Sequence, residues 1–225
     1  MFNASQAGNC NLAHALEGAS AKIQDNRRTA IVYERDLFGD SGLPGLHYTP
    51  DFLSDAEERE FIGRINASEL TPFRFQQWTG KRLTASFGWH YDFDSRRLEA
   101  AHAMPAWLAE LRGRAAEFAR LEPGAIVHAL VTRYDPGAGI GWHRDKPAFE
   151  HVLGISLGAA VKLRFRQRRD GGFRRHSLLL EPRSIYHLQG PARHEWEHGI
   201  APVAEPRWSI TFRSLTKAGD INSVA

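Results

Sequence analysis

Hydrophobic and polar positions follow two periods in this chain, and the change of period divides it. A helical spacing comes first. Ser54-Asp-Ala-Glu57 has the form of a capping box, and behind it Phe61, Ile62 and Ile65 give one apolar stripe, so a helix begins after Ser54. A second helix starts near Pro105, a residue suited to a first turn, and runs through Leu108, Leu111, Ala115 and Phe118 at three- and four-residue steps. From Ala125 onward the texture is that of short strands divided by turns, at about 126–134, 151–157, 160–168, 174–180, 184–190 and 207–215. Helices followed by such a run predict a mainly β (α+β) chain with a barrel or jelly-roll core.

Three further stretches fit around that plan. Leu46-His47-Tyr48 reads as a strand leading into the domain, after the Ile31-Val32-Tyr33 run and a Gly-rich turn. Residues 83–93 alternate strictly, placing Phe87, Trp89, Tyr91 and Phe93 on one face and Ser86, Gly88, His90 and Asp92 on the other. Such an aromatic face either stacks on bases or packs on the domain core, since strands favour aromatics for packing alone. Residues 1–28 are small and polar, with a weak helical spacing at Leu12, Leu16 and Ile23.

A chain of 225 residues suffices for one well-buried core. Cys10 is its single cysteine, which excludes an intrachain disulfide and cysteine-rich zinc sites and fits a reducing compartment. Neither a secretory signal nor a long apolar span is visible, so the expected location is the cytoplasm, without a membrane. A net charge of +3 and a pI near 9.2 lean towards polyanionic partners.

Candidate chemistry concentrates between Thr132 and Asp145, where a strand passes through a glycine-rich turn into His143-Arg144-Asp145. Residues two apart on an extended backbone share a face, so one imidazole and one carboxylate stand side by side. With a second histidine, such a set suits iron or zinc and leaves coordination positions open. His-x-Asp alone is a weak signal, and His90-Tyr91-Asp92 is a second match. The position of His143 ahead of the whole run of strands favours the first pair, because later strands can return further ligands to it. Near the far end, Arg207, Ser209, Thr211 and Arg213 alternate with Trp208, Ile210 and Phe212. Two arginines on one inward face require anions, and a guanidinium fork binds a carboxylate bidentately. On an exposed face the same arginines would pair with surface acids instead.

Taken together, these motifs resemble the iron(II)- and 2-oxoglutarate-dependent dioxygenases of the AlkB type. The resemblance rests on Arg133-Tyr134-Asp135-Pro136-Gly137, His143-Arg144-Asp145-Lys146, Ile155-Ser156-Leu157-Gly158, Glu195-Trp196-Glu197-His198-Gly199-Ile200 and Arg207-Trp208-Ser209-Ile210-Thr211-Phe212-Arg213, and it spans roughly residues 46–215. It implies a double-stranded β-helix (jelly roll) core with N-terminal helices and a substrate lid. The implied boundaries are an extension at 1–36, a dioxygenase domain at 37–215 with its lid at about 70–93 and core at about 125–215, and a tail at 216–225.

The resemblance further implies Fe(II) on His143, Asp145 and His198, with His194 and His187 as less well-placed third ligands. It puts the cosubstrate 2-oxoglutarate with its distal carboxylate on Arg207 and Tyr134 and its chelating end near Arg213, flanked by Thr132 and Ser209. Asparagine is common in the family where this chain has Thr132 and Ser209, and neither hydroxyl has the amide's second donor or its reach. The implied reaction uses O2 and 2-oxoglutarate to hydroxylate an N-alkyl group on a nucleic-acid base, with release of succinate, CO2 and formaldehyde. The redox chemistry is the metal's, and no further catalytic side chain is required.

For the substrate, Lys162, Arg164, Arg166 and Arg168 line one face of a basic hairpin turning at Asp170-Gly171-Gly172, either neutralising phosphates or forming a solvated face. Trp78, Arg82, Phe87, Trp89 and Tyr91 in the lid region offer flat and cationic surfaces for an extruded base. The expected partner is DNA and/or RNA carrying alkylated bases, met by a monomer. Competing readings are a related oxygenase acting on protein or tRNA, a non-catalytic nucleic-acid-binding jelly-roll module, and a cupin-like zinc hydrolase that leaves Arg207 and Arg213 without a task.

Overall fold

The computed structural model describes residues 42–75, 78–91, 98–100 and 102–216. The Leu12–Ile23 spacing, the Ile31–Tyr33 run, Asp92 and Phe93 lie outside the described residues. Two antiparallel sheets make the body. The larger joins β1 (Leu46–Thr49), β2 (Thr71–Phe75), β3 (Trp78–Tyr91), β4 (Leu98–Ala100), β5 (Ile126–Tyr134), β7 (Phe149–Gly158), β10 (Ile185–Leu188) and β12 (Arg207–Leu215). Its order is β1-β10-β7-β12-β5-β3-β2, with β4 added to β3. The smaller runs β6-β11-β8-β9, from β6 (Ile140–His143), β8 (Val161–Arg169), β9 (Gly172–Leu180) and β11 (Glu197–Ile200). From β5 onward the strands fall alternately in the two sheets except for the β8–β9 hairpin within the smaller one, the jelly-roll arrangement expected from the strand run.

Both predicted helices form where the spacing placed them. Helix α1 (Asp55–Asn66) carries the full capping box: Ser54 Oγ accepts from the Glu57 amide at 3.3 Å, and Glu57 accepts from the Ser54 amide at 2.8 Å. Helix α2 (Ala106–Phe118) follows Pro105, and Arg114 ties it to α1 by donating to Glu57 and to the Phe52 carbonyl. Phe61, Ile65, Leu108, Leu111 and Ala115 pack on Val131, Leu153, Ile155, Leu157, Ile210 and Phe212, so both helices cover one face of the larger sheet. A second cluster, including Leu46, Tyr134, Val152, Leu163, Phe165, Leu188 and Trp196, fills the space between the sheets. The run expected at 184–190 is shorter: β10 ends at Leu188, and a short helix α3 (Gly190–His194) follows.

The expected lid differs more. Residues 83–88 are not a separate cover, because Leu83 through Gly88 pair with β5 inside the larger sheet. Only the β2–β3 hairpin and the β3 extension beyond Gly88, which pairs with β4, lie outside that ladder. Phe87 stands opposite Ala129 and packs against the helix-side cluster, so its ring is a core contact and not a base platform. Gly88 has φ +83°, and a Cβ there would approach the Val127 carbonyl oxygen to 2.1 Å. This kink interrupts the strict alternation expected through residue 93.

Ser54 holds Glu57 in its charged form: the backbone bond from Ser54, then the Ser54 hydroxyl, then Arg114 bring its pKa down to about 2. A depressed carboxylate stabilises the fold above its unfolded value and loses that contribution as pH falls through its native value. Ser54→Ala is expected to cost about 1 kcal/mol of stability in urea denaturation at neutral pH. The difference from wild type should shrink as the pH is lowered from about 4 towards 2.

Candidate metal and cosubstrate site

β6 and β11 pair with His143 directly opposite His198, so neighbouring strands of the smaller sheet present both imidazoles on its inner face. The rings lie 4.3 Å apart between centroids. Asp145, in the turn after β6, brings its Oδ2 to 3.4 Å from His198 Nε2. One donor atom from each of His143, Asp145 and His198 falls within 4.8 Å of the others, a spacing that can hold one metal ion. The turn before β6 needs its glycines: a Cβ at Gly139 would meet the Ile200 carbonyl oxygen at 2.8 Å.

Charge and protonation favour ligation. Burial lowers the pKa of His143 and brings that of His198 down to about 3, so both are neutral at physiological pH. His143 Nδ1 donates to the Gly141 carbonyl at 2.9 Å, leaving Nε2 with a free lone pair. Burial alone would raise the Asp145 pKa, but Arg213, His198, His143 and Arg193 together hold it well below the usual carboxylate range. Asp145 Oδ1 accepts from Arg213 Nε at 2.7 Å, while Oδ2 has no hydrogen-bond donor among the described residues. Arg193, which sequence reasoning passed over, is 2 % exposed and donates to the Lys146 and Phe149 carbonyls, clamping the loop behind Asp145.

Facing this cluster, the larger sheet presents a polar row set by register. Arg207 stands opposite Tyr134, Ser209 opposite Thr132, and Arg213 opposite His128, so the expected cosubstrate residues share one face of β5 and β12. Arg207 is 1 % exposed, and its guanidinium lies 4.9 Å from the Tyr134 ring centroid. Its Nη2 reaches Ser156 Oγ at 3.4 Å, but Nε and Nη1 find no acceptor among the described residues. A buried guanidinium with free donors fits a carboxylate ligand, because leaving such a charge unpaired is costly. Arg213 differs from its expected role in one respect: its Nε is already committed to Asp145. Burial pulls the Arg82 pKa down, and its guanidinium stacks 3.8 Å from the Phe73 centroid while interacting with Tyr134, Arg213 and Asp145. The donor set therefore fits both a divalent metal and a dicarboxylate.

The remaining candidates separate by placement. His187 bonds His151 at 2.9 Å, and half-exposed His194 pairs with Glu150 at 3.1 Å, so neither joins the cluster. Trp78 and Tyr91 fall on β3, as does His90, but their side chains lie outside the described residues. Trp89, half-buried, starts the β3–β4 pairing beyond the kink. Arg164 and Arg166 alternate with inward-facing Leu163, Phe165 and Gln167, which puts them on the outer face of the smaller sheet, away from the cluster. There both guanidiniums stack on Trp142, at 5.0 and 4.6 Å, and Arg166 also pairs with Glu197 at 2.6 Å. Tyr186 is the second residue the sequence did not disclose. It reaches the inner face across Gly154, its register partner on β7, a relation visible only once the strands are paired.

A jelly roll with a His-Asp-His cluster beside a buried arginine whose Nε and Nη1 have no acceptor among the described residues defines a 2-oxoglutarate-dependent dioxygenase, which uses Fe(II), 2-oxoglutarate and O2. The chain belongs to the 2OG-Fe(II) oxygenase superfamily, whose family model matches residues 45–214. It is 29 % identical over 166 residues to the mouse tRNA (carboxymethyluridine(34)-5-O)-methyltransferase ALKBH8, covering 71 % of this chain and 24 % of that protein. The zebrafish probable RNA/DNA demethylase ALKBH6 is 27 % identical over 187 residues, covering 78 % of this chain and 77 % of the relative. The chain thus spans about a quarter of the length of its mouse ALKBH8 relative. Among solved structures, OsALKBH1 superposes with a TM-score of 0.57 at 17 % identity, covering 76 % of this chain and 97 % of that one, a likeness of fold.

Asp145→Ala leaves Arg213 buried without its carboxylate and is expected to cost about 3–5 kcal/mol in urea denaturation of the metal-free protein. His143→Ala, at a half-buried position, should change stability far less while abolishing Mn(II) binding in calorimetry, and His90→Ala should leave that binding intact.

Proposed function

We propose that this chain catalyses iron(II)- and 2-oxoglutarate-dependent oxidative dealkylation of N-alkylated bases in DNA and/or RNA. The observation that carries the reading is the cluster of His143, Asp145 and His198 between the sheets, facing a row that ends in the buried guanidinium of Arg207, with Nε and Nη1 lacking acceptors among the described residues. In this reading His143, Asp145 and His198 hold the iron, and Arg207 with Tyr134 holds the distal carboxylate of 2-oxoglutarate. Iron with 2-oxoglutarate and O2 supplies the oxidation of a substrate C–H bond, with succinate and CO2 as co-products. The protein contributes order and exclusion of water: Arg213 keeps Asp145 ionised, the Gly141 carbonyl fixes the His143 tautomer, and apolar Phe165 and Trp196 wall the site.

Two features support a nucleic-acid substrate. Relatives named as an RNA/DNA demethylase and a tRNA-modifying protein match most of this chain. Lys162, Arg164, Arg166 and Arg168 also form a basic row on the outer face of the smaller sheet, suited to phosphates flanking the base in the site. Arg166 contributes less to that row because Glu197 already neutralises it. Arg82 and Trp89 are the base-side contacts in this reading, with Trp78 and Tyr91 beside them on β3. The match to ALKBH8 favours modified tRNA as the second reading, which one experiment separates from the first.

Anaerobically iron-loaded protein given O2, 2-oxoglutarate and methylated DNA, RNA or tRNA should remove the methyl mass in step with succinate, read by mass spectrometry. Succinate without change in any methylated base would overturn dealkylation, and oxidation confined to tRNA wobble uridine would establish the second reading. Failure to bind 2-oxoglutarate or form succinate would remove the oxygenase assignment for the site. Arg164→Ala should weaken oligonucleotide binding uniformly across sequences and reduce the slope of log K against log salt by about one.

A further inference from the structure

We propose that Tyr186 is a cosubstrate-contacting residue: its hydroxyl donates a hydrogen bond to 2-oxoglutarate in the pocket between Arg207 and Arg213, across a gap that Gly154 keeps open. The inference rests on the 2-oxoglutarate reading of the site and adds a residue to it. It begins with register. Tyr186 pairs with Gly154 on β7, Gly154 pairs with Thr211 on β12, and Thr211 pairs with Leu130 on β5. Directly paired residues of adjacent strands face the same way, so Tyr186 belongs to the inner face that carries Arg207, Ser209 and Arg213. On β12, Thr211 lies midway between Ser209 and Arg213, which sets the height of this row in the pocket.

Geometry then fixes how far the side chain reaches. A Cβ built on Gly154 would lie 2.3 Å from Tyr186 Cε1 and Cζ and 2.5 Å from its hydroxyl oxygen. These are the far atoms of the ring, so the phenol lies across β7 and delivers its hydroxyl towards β12. Any larger residue at 154 would collide with that ring, and glycine here serves close approach, not backbone conformation. The hydroxyl makes no hydrogen bond to any described residue, although Arg207, Asp145, Tyr134 and Arg213 all act on it electrostatically.

A ring placed only for packing has no use for an oxygen in that position. Tyrosine hydroxyls away from bulk solvent find partners, and here the two arginines that act on the phenol point to an anionic one. Burial raises the phenol's pKa above its ordinary value, with Arg207 pulling against the shift, so the group remains a donor at physiological pH. The same pocket is bordered by Thr132 and Ser209, whose short side chains leave a dicarboxylate short of donors at mid-height. Tyr186 supplies one from the neighbouring strand.

Calorimetric titration of 2-oxoglutarate into Mn(II)-loaded protein tests this without turnover. Tyr186→Phe should weaken 2-oxoglutarate binding about tenfold or more, with Mn(II) affinity and melting temperature close to wild type. Gly154→Ala, which keeps the hydroxyl but displaces the ring, should weaken it similarly and thereby support the proposal if the phenylalanine variant is unstable. If wild type binds and Arg207→Ala does not, while Tyr186→Phe stays within twofold of wild type, the hydroxyl has no such role and this inference alone falls. Absence of binding in wild type would instead overturn the 2-oxoglutarate reading beneath it.

Discussion

Asp145 and Arg213 meet at 2.7 Å in the space between two sheets, and the geometry of the whole site depends on that contact. Arg213 belongs to β12 of the larger sheet, while Asp145 follows β6 of the smaller one, so the pair joins the two layers by charge as well as by packing. Their side chains are only 12 % and 5 % exposed, and an ion pair that deep attracts strongly but loses its hydration. Its desolvation cost is bearable because further groups share it. His128 approaches Arg213 at 3.2 Å, and Arg193 holds the carbonyls of the loop behind Asp145. With the carboxylate kept ionised and both imidazoles kept neutral by burial, three donors of the right charge state for a metal converge.

How much of this was legible in the sequence follows from how local each feature is. The cap at Ser54, the stripe from Phe61 to Ile65 and the alternation from Arg207 to Arg213 are written in neighbouring residues, and each forms as read. The pairing of His143 with His198 was reachable because motif order stood in for distance. Tyr186 and Arg193 were not reachable, since each matters through a strand or loop far away in the chain: Gly154 for one, Lys146 and Phe149 for the other. The aromatic run of β3 shows the opposite failure. Its period holds as far as Gly88, but period alone does not say which face is buried, and Phe87 faces the helices. Past the kink at Gly88 the strand changes partner from β5 to β4, so the assignment of Phe87 cannot be carried on to Trp89.

The smaller sheet divides its labour between its faces. Inward, Leu163, Phe165 and Leu178 wall the site with apolar surface; outward, every second residue of β8 is cationic. Trp142 couples the two, because the residue beside inward-facing His143 becomes the platform on which Arg164 and Arg166 lie flat. A guanidinium held on an aromatic ring has lost much of its rotational freedom while its edge donors stay available. Phe173 performs the same service for Arg168 and Arg175 across the β8–β9 pair, at 5.7 and 5.8 Å. The basic row is therefore more ordered than a run of solvated side chains.

Between the sheets, the residues that fit the ligands are the ones that cost the empty protein stability. Arg207 Nε and Nη1, Asp145 Oδ2 and His198 Nδ1 are all buried without hydrogen-bond partners among the described residues. Each such group costs about 1–3 kcal/mol relative to a satisfied one, so together they weigh against a domain stability of only about 5–15 kcal/mol. The apolar cluster beneath α1 and α2 lies on the opposite face of the same sheet and offsets that cost with Ile65, Leu108, Leu153, Ile155, Ile210 and Phe212, each at most 0 % exposed. Binding of metal and dicarboxylate would supply partners to Asp145 Oδ2 and to the Arg207 donors and stabilise the folded state by mass action, so ligand occupancy and fold stability are one linked equilibrium here. The sheet can carry unsatisfied polar groups on one face because its other face is packed for stability.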